Sequence, residues 1–458
     1  MKNIFIKYIN EETLNKRLII YLSIILAIVV VIRWFHFIDE YAVNVLFYDH
    51  WDLYNYFFES KSLVEVYFAQ HGPHRQGIGF ILTKYIDQIS GWNTKYIAFT
   101  IGVLMLFTCF AYLRLKHKLK GKLNALDVVI VLLVLTPTQH GIFTNTPNLS
   151  HGAMPAFLLS LLCLSWLIKN DVLRYGSIVL INFLLIYSGF GVFIGFITPV
   201  ILFIDLYRYK KVKTKLWLII SAVILSFISL GSFFVDYNFG ATANPNFKFP
   251  HDSPFEYLQF IWILLGRPLN NSVLYFGALI SIIFLIIGIS SFRNLLKLNL
   301  DDSKYIHHKI ILTLLTFTFL FVVNTAIGRV SFGVEGAYAN RYVPYIIPAY
   351  IASYLYFSSL KHKYYHITTA GLLIVGITSC FSLKNEIKQM GMFRDSKINW
   401  ITEYLNSNKI WQANKTSLYP IHPNAKGTRL KKKLNYLKKN NLNFYLDQEK
   451  YINASNVK

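Results

Sequence analysis

Cysteine is nearly absent from this chain: three in 458 residues, at Cys109, Cys163 and Cys380. They stand at no metal-like spacing and inside apolar stretches, which excludes a disulfide scaffold or a thiolate metal site and reads as buried free thiols. Charge is scarce too. Only 15% of the residues are Asp, Glu, Lys or Arg, against 54% hydrophobic, and acids are half as frequent as bases, 23 to 46. Charge that sparse, with repeated apolar runs of about 18 residues, excludes an ordinary water-soluble domain and places the chain in a lipid bilayer. A formal charge of +23 would suggest nucleic acid for a soluble protein. Here loops and a tail facing anionic lipid account for it, so membrane lipids are expected partners and nucleic acid is not. The first apolar run, residues 18–31, has no small-residue cleavage site after it and reads as an uncleaved span, not a signal peptide.

What is present is a strong asymmetry of charge. Lys and Arg cluster in five short places, residues 2–17, 114–122, 208–215, 293–309 and 361–363. The positive-inside rule assigns all five to the cytoplasm, so the apolar segments between them must come in even numbers. Segments 18–38 and 96–113 make the first pair, and 123–143, 154–168, 172–187 and 191–207 make four more. Segments 216–236, 272–292, 310–327, 342–360 and 366–381 complete the set. The expectation is an all-α polytopic membrane protein of 11 spans, with its N-terminus cytoplasmic and its C-terminus outside. Residues 77–92 are expected as an interfacial helix and 256–266 as too short to cross. Two regions follow: a transmembrane domain, 1–383, containing a long first outer loop, 39–95, and a basic outer region, 384–458.

With that parity the chemically capable side chains fall on one face. The first loop opens with "FIDEYAVNVLFYDHWDLYNYFFE", whose acids form two clusters, Asp39-Glu40 and Asp49-x-x-Asp52, in an aromatic setting. Carboxylates beside an apolar surface can act as general bases or hold a divalent cation such as Mg or Mn. As plain structure, the same residues would solvate a loop and its Tyr and Trp would form an interfacial belt. "QHGPHRQG" closes the loop; its Gly72-Pro73 forces a turn, so His71 and His74-Arg75 are expected to converge on one anionic ligand. His-x-x-His alone supplies too few ligands for a metal site, and none is assigned. "GRVSFGVEGAYANRYVPYIIPAY" sets Arg329 and Arg341 on either side of a glycine-rich loop carrying Glu335, a candidate anion clamp as well as a place for snorkelling arginines. His140, His151 and the His251-Asp252 pair read first as irregular loop, and Asn182 and Asn324 as interhelical hydrogen-bonding groups. The tail carries fifteen of the 46 basic residues, with a run "RLKKKLNYLKKNN" suited to phosphorylated lipid or acidic glycan, or simply to solvation.

Many spans, a long acidic first outer loop, an interfacial helix and an outer C-terminal region resemble the GT-C class of membrane glycosyltransferases. "YDHWD", "QHGPHRQGIGFIL" and "GRVSFGVEGAYANRY" are similar to a pattern in bacterial members related to that class. Within that class the pattern most resembles the serotype-converting O-antigen glucosyltransferases. The resemblance covers most of the span region but not the tail. It implies a bacterial inner-membrane enzyme with a polyprenyl-phosphate-linked sugar, glucose foremost, as donor and a lipid-linked surface polysaccharide as acceptor. A flippase and a donor-synthesising glycosyltransferase would serve it. The family's acid falls on Asp49, with Asp52 beside it and Asp39-Glu40 as the competing placement. Arg329, Arg341, Arg75 and His74 would stabilise the leaving phosphate, and Trp51 and Tyr54 would pack against sugar faces. The rival readings are an O-antigen polymerase, a non-enzymatic flippase or transporter, and an acyltransferase using paired histidines. Nearly charge-free spans speak against the transporter, which would carry its charges at the midplane.

Overall fold

A computed structural model describes residues 2–209, 213–242, 247–269, 273–298, 303–360, 362–381 and 383–455, with side chains in the first helix described from Arg17. Parts of three expected basic loops (210–212, 299–302 and 361), the first residue of the span 272–292 and the last three of the tail lie outside the described residues.

Among the described residues the regular structure is helical, apart from one pair of two-residue strands. Seven helices among the described residues are long and apolar enough to cross a membrane: Arg17–Tyr41, Thr94–Lys120, Gly189–Arg208, Lys215–Phe233, Leu274–Lys297, Lys304–Phe332 and Tyr364–Ser407. The first, of 25 residues, is about 37 Å long at 1.5 Å per residue, enough for a hydrocarbon core of about 30 Å. It turns Leu22, Ile25, Ile28 and Ile32 outward, each more than half exposed, a surface that only lipid covers without cost.

Four of the eleven expected segments form shorter helices. Residues 123–143 break into Val128–Val134 followed by turns at Pro137–Gln139 and Gly141–Thr144. Pro137 lacks the N–H that would continue the helix and sits at the first position of the next turn. Ala153–Ser165 has 13 residues, Asp171–Ile186 has 16 and Val343–Phe357 has 15. Three of these elements are mostly interior, and every residue of Val128–Val134 is buried, whereas Asp171–Ile186 exposes Val172, Leu173 and Leu180.

The two ends of the bundle differ. At one, the expected basic loops meet: Lys116 pairs with Asp127 at 2.9 Å, Tyr354 donates to the same carboxylate at 2.5 Å, and Lys309 donates to both oxygens of Asp205 at 2.7 Å. Lys309 and Arg329 lie on one helix twenty residues apart, which separates them by roughly 30 Å. At Arg329's end stand the first loop and the tail. They share one hydrophobic core, in which Phe47, Trp51, Tyr54, Phe57 and Trp92 of the loop pack with Trp400, Tyr404, Leu434, Leu437 and Phe444 of the tail. The loop therefore packs with the tail in one core, whereas the sequence groups it with the spans. The basic run folds into Leu430–Lys439, which buries Leu430, Leu434 and Leu437 along one stripe at helical spacing.

Candidate functional site

The bend at Gln70–Arg75 is a hairpin in which Gln70 pairs with Arg75 and His71 with His74. Gly72, at φ +54°, takes the left-handed first position of its two-residue turn, and Pro73 follows with the negative φ the second needs. Side chains alternate along a strand, so the cross-strand pair His71 and His74 shares one face and Gln70 and Arg75 share the other. His71 and His74 do line one cavity. Arg75 is turned away from it. Its guanidinium is buried, donating to the carbonyls of Phe68 at 2.6 Å, Phe233 at 3.1 Å and Val235. Convergence of Arg75 with the histidines is thus excluded by strand periodicity; this arginine fastens the hairpin to the end of the helix Lys213–Phe233.

The cavity, of about 190 Å³, gathers Asp49 and Leu53 from the first loop, the hairpin, the segment 141–151, Phe190, Arg329, Arg341 and Tyr345. Asp49 precedes the short helix His50–Leu53 and lies one turn from Leu53, so both reach the same side. Asp52 points elsewhere: it accepts from His422 Nε2 at 3.1 Å and Thr428 Oγ1 at 2.6 Å, tying loop to tail. Trp51 and Tyr54, expected against sugar, are buried in the shared core at 0% and 2% exposure. The competing acids are also engaged. Asp39 pairs with Lys95 at 2.6 Å, and Glu40 with Arg394. Glu335 is exposed beside Gly333 and does not line the cavity.

Asp49, Arg329 and Arg341 are all exposed, and among the described residues none of them has an ion-pair partner. Arg329 ends its helix and Arg341 sits in the last 3-10 turn, Asn340–Tyr342, before Val343–Phe357 begins. Each guanidinium rests near the ring of a neighbour, Phe332 at 5.8 Å and Tyr342 at 5.4 Å. Two guanidinium groups facing one carboxylate leave the cavity attractive to an anion.

The segment 141–151 contributes more than its sequence suggested. Ser150 Oγ donates to the Gln76 carbonyl at 2.5 Å, and Asn148 Nδ2 to Gln76 Oε1 at 3.2 Å, which latches the segment to the hairpin's exit. His151 then meets His74 edge to face, ring centroids 4.8 Å apart, while Phe190 closes on His74 at 4.2 Å. Burial lowers the basicity of both: His74 falls well below its ordinary value, with His151 nearby adding to it, and His151 falls to about 3. Both imidazoles are neutral at physiological pH. Lys397 of the tail donates to the carbonyls of Thr144 at 2.7 Å and Asn145 at 2.8 Å, so the tail also holds the segment in place. The signal for its role was its density of Asn and His inside an otherwise apolar stretch. His140 bonds Thr144 and Asn340 behind the cavity wall, and His251 pairs with Glu256 at 3.7 Å away from it.

Among the described residues, no three His, Cys, Asp or Glu side chains are placed to hold a metal ion. No protein-family model matches the chain, and a search among curated proteins finds no match.

Proposed function

We propose that the protein is an integral membrane glycosyltransferase that moves a sugar, glucose foremost, from a polyprenyl-phosphate donor to a lipid-linked surface polysaccharide. In this reading all eleven segments lie in a bacterial inner membrane. The lysine-rich end is cytoplasmic and the cavity end periplasmic. The observation that carries the reading is the cavity's composition: one carboxylate, Asp49, opposite two unpaired arginines, Arg329 and Arg341, where helices of spanning length end.

Asp49 takes the proton from an acceptor hydroxyl as that oxygen attacks the anomeric carbon. The bond from that carbon to the phosphate oxygen breaks, and Arg329 and Arg341 stabilise the charge gathering on the departing lipid phosphate. His71 offers hydrogen bonds to the phosphosugar, and the neutral His74 and His151 do so without competing as cations. Arg75 supports the hairpin and takes no direct part. A transporter would need charges at mid-bundle, and the charged groups of this cavity sit at one end.

The test is transfer of label from a prenyl-phosphate sugar in membranes containing the wild type, Asp49→Asn or Arg341→Lys, with folding checked by monodispersity in detergent. Transfer that survives both substitutions removes the mechanism.

A further inference from the structure

A groove of about 570 Å³ opens on the lateral surface of the bundle, away from the cavity, between the helices Val273–Lys297 and Ser303–Arg329. Leu285, Ile289, Phe292, Leu296 and Phe319 line it and are each about half exposed, so the groove faces whatever surrounds the spans. Its hydroxyls demand little. Ser281 donates back to the Ala278 carbonyl at 2.6 Å and Thr318 to the Tyr345 carbonyl at 3.0 Å, with Thr316 the one other hydroxyl in the wall. At Gly288 a Cβ would meet only Leu315 Cδ1, at 3.9 Å, so the floor is open there.

The two ends of the groove are unlike. Its inner end lies near Leu265 and Phe284, which Tyr350 sets at one level by donating to the Leu265 carbonyl at 2.8 Å and meeting the Phe284 ring at 5.3 Å. At the other end is Arg293, whose neighbour Asn294 meets His308 at 3.3 Å, beside the Lys309–Asp205 pair. That is the lysine-rich end of the bundle. From Ser281 to Arg293 the helix rises roughly 18 Å, close to one leaflet's half of a hydrocarbon core of about 30 Å. An apolar slot of that depth with a cation at its mouth has the dimensions of one acyl chain below one headgroup.

Arg293 is exposed and has no ion-pair partner among the described residues. Asp127, Asp171 and Asp205, acids of the same end, are engaged with Lys116, Arg174 and Lys309. Asp301 and Asp302 of the following loop lie outside the described residues. Lys297, one turn further along the helix, is exposed as well. A zwitterionic headgroup brings its own ammonium among these cations, whereas an anionic one brings only the missing charge. A second copy docked here about a two-fold axis adds another Arg293 at the same depth and no anion. We infer that the groove is a site for one anionic phospholipid of the leaflet at the lysine-rich end, an acyl chain in the slot and its phosphate on Arg293. Neither of these helix faces enters the proposed transfer reaction.

The test uses the full chain purified in detergent, with phosphatidylglycerol or phosphatidylcholine added and bound lipid counted by native mass spectrometry. Wild type should bind the first phosphatidylglycerol roughly tenfold more tightly than phosphatidylcholine, the size of one charge-assisted contact. Arg293→Gln should abolish that preference. Gly288→Leu, which fills the slot, should weaken the binding of both lipids by roughly tenfold. Arg114→Gln removes an exposed cation of the same end outside the groove, and should leave both Kd values within about twofold. Arg293 is exposed, so its variant carries the test if Gly288→Leu misfolds. A preference that survives Arg293→Gln, or that falls equally with Arg114→Gln, overturns the inference in favour of diffuse surface charge. So does a lipid-free dimer that Gly288→Leu dissociates, which gives the groove to a second copy. Prenyl phosphate that displaces phosphatidylglycerol at equal or lower concentration gives it to the sugar carrier, and overturns the inference too.

Discussion

The two ends of the helical bundle treat charge in opposite ways. At the lysine-rich end the interior ions are satisfied: Asp127 has Lys116 and Tyr354, and Asp205 has Lys309 and Tyr305. At the other end Asp49, Arg329 and Arg341 surround a cavity without pairing. A paired interior ion holds helices in register, because removing one member strands the other in a medium that solvates it poorly. An unpaired charge at a cavity contributes little to the fold and is available to a ligand. Substitutions at one end should therefore act on stability, and at the other on activity.

The sharpest break of that contrast comes from the cavity. Asp49→Asn is isosteric and should lower sugar transfer by about 10²–10⁴-fold, the usual range for losing a general base. The melting temperature should stay close to the wild type's. Arg341→Lys keeps the charge but loses the planar fork, and should cost at least about tenfold. A large fall in melting temperature with either would mean that the two ends are not so different.

At the paired end the expected effect is on folding. Lys309→Met leaves Asp205 buried with only Tyr305 as its donor and should destabilise the protein by about 3–5 kcal/mol, read as early unfolding in detergent. The double replacement with Asp205→Leu should recover most of the loss, since an apolar pair needs no solvation. Specific transfer activity per folded molecule should be unchanged in both.

These ends also differ in how readable they were. The lysine-rich loops that the sequence groups together do meet at one end of the bundle, because charge at a helix terminus follows a one-dimensional pattern. Asp49, His71, His74, Arg329 and Arg341 were legible for the same reason, as polar clusters at helix ends. Arg75 was misjudged from adjacency to His74: the two are sequence neighbours, but a strand sends neighbours to opposite faces. Trp51 and Tyr54 were misjudged because their partners, Trp400, Tyr404 and Phe444, lie some 350 residues away in a tail whose folding onto the loop leaves no local signal. The segment 123–143 departs most from its expected length, because Pro137 ends Val128–Val134 and turns follow.

A smaller effect concerns the neutral histidines that surround the cavity end. His50 is buried at 1% exposure, its Nε2 meets the Pro147 carbonyl at 2.6 Å, and burial lowers its basicity to about 3. In the unfolded chain it takes a proton near pH 6.5, while in the folded protein it stays neutral until far lower. Its contribution to stability is thus complete above about pH 6.5 and is lost as pH falls toward 3, at up to about 1.4 kcal/mol per pH unit. His50→Gln keeps a donor for Pro147 but cannot titrate. Its melting temperature should fall less steeply between pH 7 and pH 5 than the wild type's, and an equal slope would remove His50 as the source.

The smallest effect falls on the acids that compete with Asp49. Asp39 and Glu40 follow the first span and, by position alone, are as well placed as Asp49 to serve as the base. Their surroundings differ. Lys95 holds Asp39 with a side chain still 66% exposed, and Arg394 holds Glu40 at 46% exposure. Exposed pairs of this kind contribute at most about 1 kcal/mol, since water solvates both partners nearly as well when they are apart. Asp39→Asn and Glu40→Gln should each lower stability by no more than that, and change transfer by less than about threefold, a difference of about 0.6 kcal/mol in the barrier. A loss of transfer at either position comparable to that of Asp49→Asn would move the reacting centre out of the histidine-lined cavity and onto the junction of the first span with the tail, where Arg394 would become the anion's partner.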